Sequence, residues 1–297
     1  MIGRSSLSDR FLSWIALGLL RVALRMPYML RIRFVGWTIS RVFGPLAGLN
    51  KRIRKNLALV MPELSEAEVR RLCLAVTNNM GRTFIESYSH GEFLRLCADL
   101  PPEGPGWEVV VAARKANKPV VFFTGHLGNY AAPRATLLSR DYPVGVLYRP
   151  LSNRFFEPFH RAAIEKLGPT FARGSAGLGE MVRHLKQGNS IAFTADQHVY
   201  EGASLRFFGL PAATATSAAR LAIKYEAILV PVYGIRRPDG FRFDLVFETP
   251  VPPCEPEAMT QALNDSLEAM IRKHPEQWMW THRRWKLAEQ LNQPPNW

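Results

Sequence analysis

The chain has little cysteine, no long apolar run and, in its first sixty residues, almost no acid. Its 297 residues include three cysteines, Cys73, Cys97 and Cys254, with no C-x-x-C spacing. An odd number cannot pair completely, and a reduced, cytosol-facing location is the simplest account. Residues 11–20 form a ten-residue run of apolar and small side chains, ended by Arg21. At about 1.5 Å per residue it covers about half of a roughly 30 Å hydrocarbon core. Partial or in-plane insertion fits as well as a tilted span with Arg21 and Arg25 snorkelling. No small-x-small cleavage site follows, which argues against a signal peptide.

Several chemistries lack their signatures. There is no G-x-x-x-x-G-K-[ST], no G-x-G-x-x-G after a strand and no G-x-S-x-G, which argues against P-loop, dinucleotide and serine-hydrolase sites. His126, His160, His184 and His198 show no H-E-x-x-H or comparable ligand spacing, so no metal site and no cofactor are expected. Internal repeats and low-complexity tracts are missing too.

What is present is positive charge, unevenly placed. Residues 1–60 carry eleven Lys and Arg against one acid, Asp9, which accounts for +10 of the chain's +13. A basic end suits nucleic acid or an anionic membrane. Here the arginines alternate with Phe11, Leu12, Trp14, Ile15, Leu17, Phe34, Trp37 and Phe43. Nucleic-acid arms are polar between their charges, whereas membrane-surface helices mix basic residues with Trp, Phe and Leu. The pattern predicts a membrane-surface partner and no nucleic acid. Residues 51–55, KRIRK, form a basic cluster suited to lipid headgroups or an acidic carrier protein; a solvated helix face would read the same way.

In chain order, Ser8 is placed to cap a first helix. Ser65 and Glu68 form a capping box for a helix that reaches the region of Glu86. The stretch 101–106, PPEGPG, is a loop and a boundary between an N-terminal helical part and the α/β body. From Pro119 strands and helices alternate: strands at 120–123, 144–148, 190–195, 228–233 and 241–247, and helices from about 132, 153, 175, 215 and 256. This predicts an α/β fold with a mixed, mostly parallel sheet flanked by helices. It divides into a basic apolar membrane-associating helical region, 1–60, and an α/β domain, 61–297.

Residues 119–134, PVVFFTGHLGNYAAPR, carry the chemistry. A short apolar strand leads into turn residues, and Pro133 suits the first turn of a helix. His126 therefore stands just past the carboxyl end of a strand, where open α/β sheets bind ligands. An imidazole titrating near neutrality is a candidate general base there.

His126-Leu127-Gly128-Asn129-Tyr130 resembles the start of the H-x4-D/E motif of the lysophospholipid acyltransferase superfamily. GHLGNY is most similar to the branch containing the bacterial lipid A lauroyl and myristoyl acyltransferases. Other blocks of that branch recur in order: Tyr148-Arg149-Pro150, Phe171-Ala172-Arg173-Gly174, Ala195-Asp196-Gln197, Phe207-Phe208-Gly209 and Trp280 through Lys286, WTHRRWK. The resemblance implies O-acyl transfer from acyl carrier protein, or secondarily acyl-CoA, to a hydroxyl of a membrane lipid, on the cytoplasmic face of a bacterial inner membrane. The acceptor is a lipid A precursor or a lyso-aminolipid. It implies His126 as base, Gly125, Asn129 and Arg149 shaping the site, and Arg173, Gly174 and Asp196 helping to hold the acceptor.

One position departs from the motif. The acid that should orient the imidazole falls at residue 131, which is Ala131. Loss of an orienting aspartate costs on the order of 10⁴ in turnover in the serine-protease case, so the chain is expected to be strongly impaired. Ala131 reads either as a substitution that traps a substrate complex or as a natural departure. The alternative function is a non-catalytic lipid-binding protein that keeps the pocket.

Overall fold

The structure, a computed structural model, describes residues 7–291. The first half is helical: α1 (Leu7–Leu24), α2 (Tyr28–Thr38), a π-helical turn at Ile39–Phe43, α3 (Gly44–Leu46), α4 (Leu49–Val60), α5 (Glu66–Glu86) and α6 (His90–Ala98). Strand β1 (Pro102–Glu103) and α7 (Pro105–Lys115) lead into the alternating part. There follow β2 (Val120–Thr124), α8 (Ala132–Leu138), β3 (Val144–Tyr148), α9 (Glu157–Glu165), β4 (Thr170–Ala172), α10 (Ser175–Lys186) and β5 (Ser190–Thr194). The chain closes with β6 (Ala203–Phe207), β7 (Leu210–Thr214), α11 (Ser217–Lys224), β8 (Ile228–Arg236), β9 (Phe243–Phe247), α12 (Pro256–Lys273) and α13 (Lys286–Leu291).

Seven strands form one sheet in the order β1-β9-β8-β2-β5-β3-β4, antiparallel only between β8 and β9. The fold is thus α/β with a mixed, mostly parallel sheet flanked by helices, as the alternation predicts. All five residues of β2 are buried, as a central parallel strand covered on both faces requires. Its side chains alternate between two cores. Val121 and Phe123 join Leu72 and Val76 of α5, Met181 and Leu185 of α10 and Leu267 of α12. Val120 and Phe122 point the other way, toward Phe93 of α6, Val110 of α7 and Ala135 of α8.

The helices before residue 61 are not detached from the body. Ile53 and Leu57 of α4 enter the first core, and the Asn56 amide donates to the carbonyls of Trp280 and His282 at 2.5 and 2.9 Å. Helix α5 starts at the predicted capping box: Ser65 N–H donates to Glu68 Oε2 at 2.8 Å, and Glu68 N–H returns to Ser65 Oγ at 3.4 Å. Helix α1 begins at Leu7, so the predicted cap position Ser8 lies inside it. Among the described residues no helix is long and apolar enough to cross a membrane.

The alternation does not reveal the β6–β7 hairpin. Phe208 and Gly209 form its two-residue turn with φ of 53° and 75°, the doubly left-handed turn that suits hairpin twist. A bulky residue with positive φ is an outlier. Phe208 is held there by the Arg272 guanidinium, 4.5 Å from its ring centroid, by edge-on contacts with Trp280 and Trp285, and by a bond from its N–H to Glu268. The F-F-G block is therefore a turn that locks the hairpin onto α12 and the tryptophan cluster.

Candidate active site

Strands β2, β5, β3 and β4 run parallel, so all four end at one edge of the sheet. Thr124 of β2 pairs with Thr194 of β5. His126 and Asp196 each stand two residues beyond that pair, on neighbouring strands about 4.8 Å apart. Their side chains meet there: His126 Nδ1 lies 2.7 Å from Asp196 Oδ1, and His126 N–H donates to Asp196 Oδ2 at 2.7 Å. Trp278 Nε1–H completes the carboxylate's shell at 2.8 Å from Oδ2. Asp196 is 2% exposed, whereas the His126 side chain keeps 21% of its surface open. With Nδ1 committed to the carboxylate, Nε2 is the ring nitrogen left to exchange a proton with a substrate.

The turn beneath the ring is pinned by several backbone bonds. The His126 carbonyl accepts from Met279 N–H, Gly128 N–H donates to the Gln277 carbonyl, and Asn129 N–H donates to the Gly234 carbonyl at 2.8 Å. Gly128 has φ +58°, and a Cβ there would sit 2.0 Å from the Gly234 carbonyl oxygen. Only glycine meets both conditions.

Burial and charge oppose each other at this pair. Burial favours a neutral imidazole, but the Asp196 charge and hydrogen bond outweigh it and raise the His126 pKa above its ordinary value. Burial likewise works to raise the Asp196 pKa, yet the His126 charge and the bonds from His126 and Trp278 hold it down to about 2. Asp196 is therefore a carboxylate at neutral pH. Tyr130 packs edge-on to the His126 ring, centroids 5.0 Å apart, and burial with the Asp196 charge pushes its phenol up.

Of the residues singled out from sequence, His126 and Asp196 come together, and the others take different posts. Gly125 is buried, and its missing side chain makes room for the carboxylate: a Cβ would lie 2.7 and 2.8 Å from the Leu267 methyls and 3.1 Å from Asp196 Oδ2. Asn129 is fully buried. Its amide donates to Glu86 Oε2 at 2.7 Å and its oxygen accepts from Ala131 N–H at 3.0 Å, so it supports the turn and does not line a cleft. Asp196, expected on the acceptor, faces the imidazole and the Trp278 indole. Ala131 is the N-cap of α8, part-buried against the second core. Arg149 and Arg173 immediately follow β3 and β4, exposed at the same edge of the sheet, with Gly174 next to Arg173 at φ +140° opening α10.

Three residues tied to this pair or its turn escape sequence reading. Trp278 lies two residues before the WTHRRWK block, and its role depends on an indole N–H aimed at a residue 82 positions away. Glu86 and Arg236 are buried and look like ordinary helix-end and strand-end charges in the sequence.

A Gly125→Ala variant tests how tightly the carboxylate is placed. Leu267 and Asp196 must both shift, so turnover is expected to fall about 10- to 100-fold for a misplacement of this size. The check is kcat alongside circular dichroism showing an intact fold.

Comparison with known proteins identifies the family. The model of the bacterial lipid A biosynthesis acyltransferase family matches residues 4–287. The lipid A biosynthesis lauroyltransferase of Escherichia coli (strain K12) is 26% identical over 286 residues, covering 93% of this chain and 92% of that protein. The lipid A biosynthesis palmitoleoyltransferase of the same organism is 24% identical, covering 95% and 94%. The lipid A biosynthesis acyltransferase of Haemophilus influenzae (strain ATCC 51907 / DSM 11121 / KW20 / Rd) is 18% identical, covering 90% and 85%. With the match running through nearly the whole sequence, from the basic helices to the tryptophan-rich end, this chain is an acyltransferase and belongs to the bacterial lipid A biosynthesis acyltransferase family.

Proposed function

We propose that the chain transfers a fatty acyl group from the thioester of acyl carrier protein to a hydroxyl of a lipid A precursor, with His126 as general base and Asp196 as its orienting acid. The observation that carries this reading is the bond from His126 Nδ1 to Asp196. It supports Asp196 as the acid on the imidazole of a chain that has Ala131 at the motif's acid position. Neutral His126 carries its proton on Nδ1 and accepts the acceptor hydroxyl's proton at Nε2 as that oxygen attacks the thioester carbonyl. Asp196 stabilises the imidazolium that results. The tetrahedral intermediate collapses by breaking the carbon–sulfur bond, and the imidazolium returns the proton to the departing thiolate. Ester and free thiol are the products.

Arg149 and Arg173 supply positive charge beside the pair, one and two strands beyond β5. Both are exposed at the strand ends, where they suit the anionic groups of a phosphorylated acceptor. Incubating the purified protein with lauroyl-acyl carrier protein and a lipid A precursor tests the assignment by mass spectrometry. A mass gain of one acyl group is expected. No gain on this acceptor, with transfer to a lyso-aminolipid, would replace the acceptor class.

The same protein is proposed to act from the cytoplasmic face of a bacterial inner membrane, lying on it through α1 and α2. Trp14, Ile15, Leu19 and Val22 are exposed along one face of α1, and Met29, Leu30, Phe34 and Trp37 along one face of α2. Successive steps of one, four and three residues make each set a continuous stripe. Arg21, Arg25 and Arg41 are exposed among them. Each cation near an anionic surface contributes about 1 kcal/mol, so replacing these three by Gln is expected to weaken binding to phosphatidylglycerol-containing vesicles about 100-fold. Sedimentation with vesicles of varied anionic content checks this; unchanged binding would rule these helices out as the membrane-facing surface.

A further inference from the structure

We propose that Glu86 is a positioning residue for acyl transfer: its carboxylate, clamped by Arg236, grips Asn129 and so fixes the turn that presents His126. The inference rests on His126 being the base. Glu86 lies at the last turn of α5, wholly buried, beside an Arg236 whose side chain is 6% exposed. The two meet in a paired fork, Nη1 to Oε1 at 2.6 Å and Nη2 to Oε2 at 2.7 Å. The remaining Arg236 donors are also used: Nε on Asn79 Oδ1, Nη1 on the Gly240 carbonyl and Nη2 on Thr83 Oγ1. All five N–H groups of the guanidinium are therefore satisfied.

Asn79, Thr83 and Glu86 fall at i, i+4 and i+7, one face of α5. All three reach the same turn. Asn79 Nδ2 and Thr83 Oγ1 donate to the Gly128 carbonyl, each at 3.0 Å, and Glu86 Oε2 accepts from Asn129. Gln277 ties the far side, exchanging bonds with the Arg236 backbone in both directions. Apolar residues would fill this space without the desolvation cost of two buried ions. They would not supply directed bonds to Gly128 and Asn129, the residues that set where His126 points.

The test exchanges donor and acceptor. Glu86→Gln removes the charge, and Asn129→Asp sets a second carboxylate against Glu86; the double variant restores one anion and one amide in reversed order. Each single variant is expected to lower kcat about 10- to 100-fold with KM little changed, and the double variant to regain at least tenfold. The His126 Nδ1–H proton resonance, read without turnover, should weaken or shift in the single variants and return in the double. That readout separates this inference from the acyl-transfer reading, since it applies to a protein that transfers nothing. If Glu86→Gln fails to fold, Asn129→Ser leaves the ion pair intact and carries the same expectation. A folded Glu86→Gln or Asn129→Ser protein with unchanged kcat and unchanged resonance would overturn the proposal.

Discussion

An Asp196→Asn enzyme is expected to turn over about 10³- to 10⁴-fold more slowly than the unaltered chain, the magnitude for loss of an orienting carboxylate. The amide keeps the shape but presents its bonds without charge, so the imidazolium formed during attack loses its partner. The pH dependence carries the sign. Below the His126 pKa the base is protonated and idle, so kcat/KM falls as pH drops through that value. The value is raised by Asp196 in the native pair, which shifts the acid limb upward from the ordinary histidine value. In Asp196→Asn the charge that raises the value is gone while burial still lowers it, so the limb moves to lower pH. Measuring kcat/KM from pH 5 to 9 for both proteins checks magnitude and direction together. A limb that stays in place would mean that Asp196 does not act through His126.

The largest stability effect is expected at Arg236. Replacing it by Met leaves the Glu86 carboxylate buried without its counter-ion, a change of about 3–5 kcal/mol. For a chain of this size that corresponds to about 6–20 °C in melting temperature. The exposed pair Arg161–Glu165 has a similar separation, 2.6 Å. Its removal is expected to change stability by at most about 1 kcal/mol, because water screens both partners. Thermal unfolding of Arg236→Met beside Arg161→Met makes the comparison; equal shifts would contradict the assignment of Arg236 to a buried, fully paired site.

What the sequence revealed and what it concealed differ in range. His126 was legible because its context is local: an apolar strand, a turn and a helix start within sixteen residues. Asp196 was legible as an acid after a strand, but its partner was not. That contact depends on β2 and β5 being neighbours in register, which no local pattern specifies. The motif therefore pointed to residue 131, and Ala131 read as a gap, while the carboxylate arrives from 70 residues downstream. The β6–β7 hairpin stayed hidden for a different reason: its turn carries Phe208 at positive φ, where turn rules look for Gly or Asn. Glu86 and Arg236 were invisible as a pair because they lie 150 residues apart.

In the proposed mechanism, catalysis with alanine at 131 depends on Asp196 supplying the acid. The most direct test is acyl transfer from lauroyl-acyl carrier protein to a lipid A precursor by the unaltered chain and by Ala131→Asp, side by side. Turnover by the unaltered chain is expected, with little or no gain from the added carboxylate. An inactive unaltered chain that gains transfer by several powers of ten with Asp at 131 would contradict this role for Asp196.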